Sequence, residues 1–240
     1  MIASAQIVII GAGIVGTSAA YHLALRACTD VLVVDQGPLP ATGGSSSHAP
    51  GLVFQTNASQ PMTHLAASSV EQLGSDELAG ELDEPCYYPV GGIEVATTAG
   101  RWDDLHRKHG LATAWGVAAE LLGPAQIGAR IPQLDTDRIL GGLHVPTDGI
   151  AKPVRAVEAM ARRARRLGVR FWGHTEVTGF DRTGGKIDAV HTTGGTIATG
   201  GVLCCAGIWG PRVGRLAGVS IPVQPLAHQY VVTTPVPGLD

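Results

Sequence analysis

Residues 11–16 read Gly11-Ala12-Gly13-Ile14-Val15-Gly16, and Asp35 stands 19 positions after the last of these glycines. A single GxGxxG is a weak signal. Here a β-branched apolar run at residues 6–10 precedes it, an Ala- and Leu-rich stretch follows from Ile14, and Asp35 ends a second apolar run, Val31–Val34. Strand, glycine turn, helix and acid in that order suit the pyrophosphate and ribose of a dinucleotide. Gly11 permits the tight turn, Gly13 lets a pyrophosphate approach the backbone, and Gly16 lets helix and strand pack closely. The start of the helix offers free N–H groups and partial positive charge to phosphates. Asp35 can accept hydrogen bonds from ribose hydroxyls. The plain alternative is a glycine-rich turn that binds nothing, and it leaves the acid unexplained.

The next segment goes further. In a simple NAD-binding domain an ordinary crossover helix follows the acid. Here residues 43–51 are Gly43-Gly44-Ser45-Ser46-Ser47-His48-Ala49-Pro50-Gly51, a run of small residues with one histidine. Serines and free backbone N–H groups can bind phosphate or ribityl oxygens, and glycines let a chain lie against a flat ring. His48 alone has a bland reading as a loop histidine bonded to backbone.

Residues 43–57, GGSSSHAPGLVFQTN, resemble the flavin-attachment segment of the dimethylglycine oxidase and dehydrogenase family, which includes the sarcosine dehydrogenases. Residues 92–98 (GIEVATT), 140–149 (LGGLHVPTDG) and 225–231 (PLAHQYV) are similar in style, so the resemblance covers essentially the whole chain. It implies FAD as cofactor, bonded covalently through His48 to the flavin 8α-methyl. FAD held without that bond is the weaker version. The resemblance also implies that Ile14 and Val15 lie against the pyrophosphate turn and that Asp35 and Gln36 meet the adenosine. Ser45, Ser46, Ser47 and His48 would lie with Leu52 along the flavin end. Val177 would meet the adenine through its backbone, although by sequence alone it reads as a core valine. The backbone at Cys205-Ala206-Gly207 is a further candidate.

The implied reaction is oxidative N-demethylation of a small N-methylated glycine, dimethylglycine or sarcosine, with the one-carbon unit hydrolysed or passed to a separate tetrahydrofolate domain. His228 is the candidate catalytic residue. It precedes a β-branched stretch, residues 229–233, that in related flavin amine oxidases contributes to the substrate cavity. A histidine near its ordinary pKa can accept the amine proton or hold the substrate carboxylate. The competing view is a strand-edge histidine facing solvent. Tyr230 shares its face if the stretch is a strand. Two other classes stay open: a truncated FAD-binding module that is inactive alone, and an amine or amino-acid oxidase of sarcosine or proline type. A nicotinamide dehydrogenase gives the His48 loop no purpose.

The elements that must position these residues follow from periodicity and punctuation. Strands are expected at residues 6–10, 31–34, 169–173, 176–181, 187–192 and 196–205, and helices at 14–26, 65–82, 153–167 and 209–216. Glycine pairs at Gly184-Gly185 and Gly194-Gly195 read as hairpin turns. The expected fold is α/β, a Rossmann-type FAD-binding domain with a partial antiparallel substrate domain. The FAD-binding parts fall at about 1–85 and 150–218 and the substrate parts at about 86–149 and 219–240. The chain stops soon after a strand-like run, so it is expected to be C-terminally truncated.

Composition narrows the partners. Hydrophobic residues make up 45%, charged residues 15%, and the formal net charge is -3. That balance suits a globular core and gives no reason to expect nucleic acid. No apolar run approaches the ~18 residues of a membrane span. The four cysteines show no metal spacing, so no metal site is expected, and a reducing, cytoplasmic setting fits them. Arg162-Arg163-Ala164-Arg165-Arg166 reads as the solvated end of a helix.

Overall fold

The computed structural model describes residues 3–235 and 237–238. The chain forms two compact units. The first holds residues 1–50, 77–86 and 152–228, and the second holds 51–76, 87–151 and 229–240.

The first unit begins with β1 (Ala3–Ile10), α1 (Ile14–Leu25), β2 (Val31–Val34) and a short helix α2 (Ser45–His48). After the excursion into the second unit it continues through α3 (Pro153–Arg166), β3 (Arg170–Trp172), β4 (Val177–Thr183), β5 (Lys186–Thr192), β6 (Gly195–Cys204) and α4 (Gly210–Leu216). Six strands make one sheet in the order β4-β5-β6-β1-β2-β3. β1 pairs in parallel with both β2 and β6, and β2 pairs in parallel with β3. β4, β5 and β6 form an antiparallel meander on one side. All four residues of β2 are buried, as are Val8, Ile9 and Ile10 of β1. Continuous apolar strands of this kind belong to parallel sheets covered on both faces.

One covering layer is α1 with α3, which pack together. Gly16, Thr17, Ala20, Tyr21 and Ala24 of α1 are buried at helical spacing, and α3 buries Ala156, Val157, Ala159, Met160, Ala161 and Ala164. Small residues let the helix axes approach closely. The other sheet face holds a cluster of Val8, Ile10, Leu32, Val34, Val177, Val190, Ile197 and Val213. The arginine run on α3 is taken up within this unit. Arg162 pairs with Glu158, Arg163 with Glu77 and Arg166 with Glu81, while Arg165 lies over the Phe171 ring.

The second unit has a three-stranded antiparallel sheet in which Gly141–Val145 lies between Gly92–Ala96 and Glu120–Leu122. Ala99–Ala114 packs on it around Leu105 and Leu143. A smaller sheet pairs Gly149–Ala151 with Leu52–Val53 and Tyr87–Tyr88. A buried polar network ties its edge together. Asp148 Oδ1 accepts from the backbone N–H of Gln55 at 2.9 Å and from its side-chain amide at 3.1 Å, and the Tyr87 hydroxyl donates to the Thr147 carbonyl at 2.7 Å. Burial pushes Asp148 above the usual carboxylate range and Tyr87 up to about 12.

Two expected elements differ. The helix expected over 65–82 is instead Gln60–Leu73, closed at Gly74, with a separate turn of helix at Asp76–Ala79. Ser59-Gln60-Pro61 starts it earlier, because proline is favoured in the first turn. Residues 229–233 form no strand and are exposed. Their β-branched composition alone does not make a strand, because a strand also needs a partner for its backbone groups.

Candidate functional site

The site is built at the carboxyl ends of the parallel strands in the first unit. β1 ends at Ile10, and Gly11 turns the chain at φ +106°, in the left-handed region. The turn is pinned on two sides. The Gly11 N–H donates to the Val34 carbonyl of β2, and the Cys205 N–H, just past β6, donates to the Ile10 carbonyl, both at 2.8 Å. A Cβ on Gly11 would lie 2.4 Å from the Cys205 carbonyl oxygen, and one on Gly16 would lie 1.9 Å from that of Gly11. No side chain fits either position. A Cβ on Gly13 meets only the Ser46 hydroxyl, at 3.3 Å, so what Gly13 leaves open is space in front of the helix.

Asp35 follows β2 and accepts two backbone bonds. Its Oδ2 takes the Ala12 N–H at 2.7 Å and its Oδ1 takes the Gly37 N–H at 2.8 Å. The carboxylate thus buttresses the glycine turn while further lone pairs remain for hydroxyl donors. Gly13, at the N-cap of α1, has no side chain to cap with, and Ser46 serves instead: its Oγ accepts the Ile14 N–H at 2.9 Å. The serine loop therefore folds over the positive end of α1. Ser47 Oγ accepts the Gly43 N–H at 3.0 Å and closes the loop.

A cleft opens here, its empty space running out into open solvent. It gathers nine of the expected residues: Gly11, Gly13, Ile14, Val15, Asp35, Gln36, Ser45, Ser46 and Val177. Gly16 lies behind the wall as a packing residue. Ser47 and His48 stand outside the lining, and His48 is exposed with Nδ1 3.0 Å from the Gly44 carbonyl oxygen. That is the backbone contact of its bland reading, and it leaves the ring at the surface. Leu52 belongs to the second unit, where it pairs with Ile150 and is 68% exposed. His228 is exposed and does not line the cleft.

The cleft also includes residues beyond these. Cys205, Ala206 and Gly207, held as candidates, do line it. Thr42, Thr175, Glu176, Ile208, Trp209 and Arg212 were missed. Arg212 Nη2 pairs with Glu176 Oε1 at 2.6 Å, and Gly44 has no Cβ where the Trp209 ring passes, 3.4 Å from that position. Burial, helped by neighbouring Cys204, pushes the Cys205 thiol up to about 11, so it is neutral at physiological pH. The described residues hold no cluster of His, Cys, Asp or Glu suited to a metal ion, and no helix among them is long and apolar enough to cross a membrane.

Comparison with known proteins gives the same architecture. Residues 6–240 match the family model described as "FAD dependent oxidoreductase". The chain belongs to this family of FAD-dependent oxidoreductases. Human mitochondrial sarcosine dehydrogenase is 32% identical over 243 residues, covering 99% of this chain and 26% of that protein. Rat mitochondrial dimethylglycine dehydrogenase is 33% identical over 237 residues, with 97% and 27% covered. The chain thus spans about a quarter of the length of these relatives. Among solved structures, the L-proline dehydrogenase of P. horikoshii is 26% identical with a TM-score of 0.84, covering 91% of this chain and 57% of that one. The Rossmann-type α/β fold expected from the sequence is the family's fold.

The cleft fits FAD on its own chemistry. The glycine turn leaves room in front of a helix N-terminus, where a pyrophosphate is stabilised by backbone N–H groups and the helix dipole. Asp35 keeps lone pairs available to hydroxyl donors beside the turn, and Ile10, Val34, Val177, Val213 and Leu216 form an apolar wall.

Proposed function

We propose that this chain carries the FAD-binding part of an amine oxidoreductase whose substrate is a small N-methylated glycine, dimethylglycine or sarcosine. The single observation carrying the reading is the cleft, in which the GxGxxG turn, Asp35 and Ser46 converge on one open space in front of a helix N-terminus. The similarity to sarcosine and dimethylglycine dehydrogenases supports the substrate class.

In this reading the first unit is the FAD domain and the second contributes to the substrate domain. Bound FAD supplies the two-electron acceptor for a hydride leaving the N-methyl carbon. The protein's own residues do the remainder. Gly13, Ile14 and Val15 hold the pyrophosphate, Asp35 and Gln36 the adenosine ribose, and Val177 the adenine. Ser45 to His48, with Leu52, would follow the flavin end, and His48 would hold the flavin through a bond to the 8α-methyl, the imidazole N–H and one methyl C–H being given up as protons while the flavin ring takes up the two electrons. The exposed His48 ring is accessible to such a reaction. His228 accepts the proton of the ammonium substrate, so that the lone pair on nitrogen can expel the hydride. Four free cysteines fit a reducing, cytoplasmic setting.

A second reading is favoured by the exposure of Leu226, Tyr230, Val231 and Val232, apolar residues next to His228. It is a module that binds FAD yet does not turn over amines by itself. One experiment separates the two. The protein is purified, precipitated with acid, and digested, and the flavin is located by absorbance and mass. Flavin on the His48 peptide, together with anaerobic bleaching by dimethylglycine or sarcosine, supports the full reading. Flavin on the peptide without bleaching leaves the module. Free FAD in the supernatant removes the covalent bond, and no flavin at all removes the cofactor reading.

A further inference from the structure

Among the described residues that line the cleft, Arg212 is the only one with a cationic side chain. It is paired with Glu176, whose neighbour Val177 lines the wall and whose other neighbour, Thr175, donates its N–H to the Asp35 carbonyl at 2.7 Å. The ion pair therefore marks the Asp35 end of the cleft. The backbone of Glu176 is held at both its N–H and its carbonyl. Its N–H donates to Thr193 Oγ at 3.1 Å, and its carbonyl accepts the Thr193 N–H at 2.9 Å. Arg212 rises from α4 beside Val213, which is packed in the sheet cluster. Its side chain is 57% exposed, so the guanidinium lies at the mouth rather than within the wall.

Resting on the FAD reading, the geometry points to the Glu176–Arg212 pair as a purine clamp. Arg212 lays its guanidinium on the open face of the adenine, and Glu176 fixes the plane of that guanidinium. The far face of the ring meets the apolar wall of Val177 and Val213. A guanidinium suits this task because it is planar and weakly hydrated, and it stacks on aromatic faces, which an ammonium does not do as a plane. Glu176 also offsets the charge of Arg212, so the clamp holds a neutral base by its face rather than a phosphate by its charge. Arg212 is accordingly a positioning residue for the cofactor's nucleotide half.

The test uses flavin-free protein made in a riboflavin-starved auxotroph, with ADP as probe in titration calorimetry. A cation on an aromatic face contributes ~0.5–2 kcal/mol, so Arg212→Met is expected to weaken ADP roughly tenfold without lowering the unliganded melting temperature. Arg212→Lys, which keeps the charge and loses the plane, is expected to match it. Glu176→Gln, which loosens the guanidinium, is expected to fall between wild type and Arg212→Met. Unchanged ADP affinity in Arg212→Met overturns the clamp, and so does full affinity in Arg212→Lys, which would mean that charge alone matters. If Arg212→Met does not fold, the Lys and Gln variants decide on the same terms. Wild-type protein that binds neither ADP nor FAD removes the FAD reading, and the clamp with it. Loss of the clamp alone shows as wild-type binding that the variants retain.

Discussion

Asp35 Oδ2 accepts the N–H of Ala12 at 2.7 Å, a bond that joins the end of β2 to the glycine turn 23 residues earlier. With Oδ1 on the Gly37 N–H, the carboxylate is an acceptor on both sides. Asparagine has the same shape but offers one oxygen and one NH2, so one of these amides would face a donor. Asp35→Asn is therefore expected to cost ~1–3 kcal/mol of stability, the range for a polar group left without its partner. Urea denaturation checks this. An unchanged midpoint would mean that the turn does not depend on the carboxylate.

The glycines of the turn separate by what a methyl group would strike. At Gly16 it meets the Gly11 carbonyl oxygen at 1.9 Å, and backbone cannot move aside. At Gly13 it meets only a serine hydroxyl at 3.3 Å. Gly16→Ala is expected to lower the melting temperature markedly and lose FAD with the fold. Gly13→Ala is expected to keep a melting temperature near wild type and still bind FAD poorly, because the methyl fills the space proposed for the pyrophosphate. Thermal melts beside flavin retention read the two effects separately, and equal melting temperatures for both variants would refute the distinction.

The glycine turn was legible in the sequence because it is local. Six consecutive residues set the turn, and the acid follows at a fixed distance along one βαβ unit. The far wall was not. Thr175, Glu176, Trp209 and Arg212 come from after β3 and β6, and only the pairing of β1 with β6 and of β2 with β3 brings them to the same sheet edge. That is convergence at the carboxyl ends of parallel strands, and no spacing along the chain reports it. The helix expected over 65–82 failed for a different reason. Apolar residues continue past Gly74, yet glycine closes the helix, and its N–H bonds back to the Val70 carbonyl. Residues 229–233 show the limit of β propensity, which describes how a side chain fits a sheet without supplying a neighbouring strand.

Tyr87 gives a pH dependence of definite sign. Burial, with the charge of Asp148 adding to it, pushes its phenol up to about 12. The folded protein then holds the proton over a range where the unfolded chain, near 10, releases it. Fewer protons in the unfolded state mean that stability falls as pH rises, from about 10 towards 12. Tyr87→Phe loses the hydroxyl's bond to the Thr147 carbonyl and should cost ~1 kcal/mol at neutral pH. It also has no phenol to ionise, so the gap between variant and wild type should narrow as pH passes 10. Denaturation midpoints at pH 7, 9 and 10.5 test this. A gap that widens with pH would reverse the assignment.

Ser46 caps α1 from the serine loop. Gly13 cannot cap α1, so the first-turn amide of Ile14 finds its acceptor in Ser46, 32 residues away. Ser46→Ala removes that acceptor, and loss of a capping oxygen costs typically ~1 kcal/mol. The amide would be free to donate elsewhere, and a bound phosphate is the acceptor the helix end is shaped for. The cost should therefore appear in flavin-free protein and shrink once FAD is bound. Melting temperatures of Ser46→Ala and wild type, each measured with and without FAD, form the comparison. A deficit that grows on FAD binding would mean that the hydroxyl itself serves the cofactor rather than standing in for it.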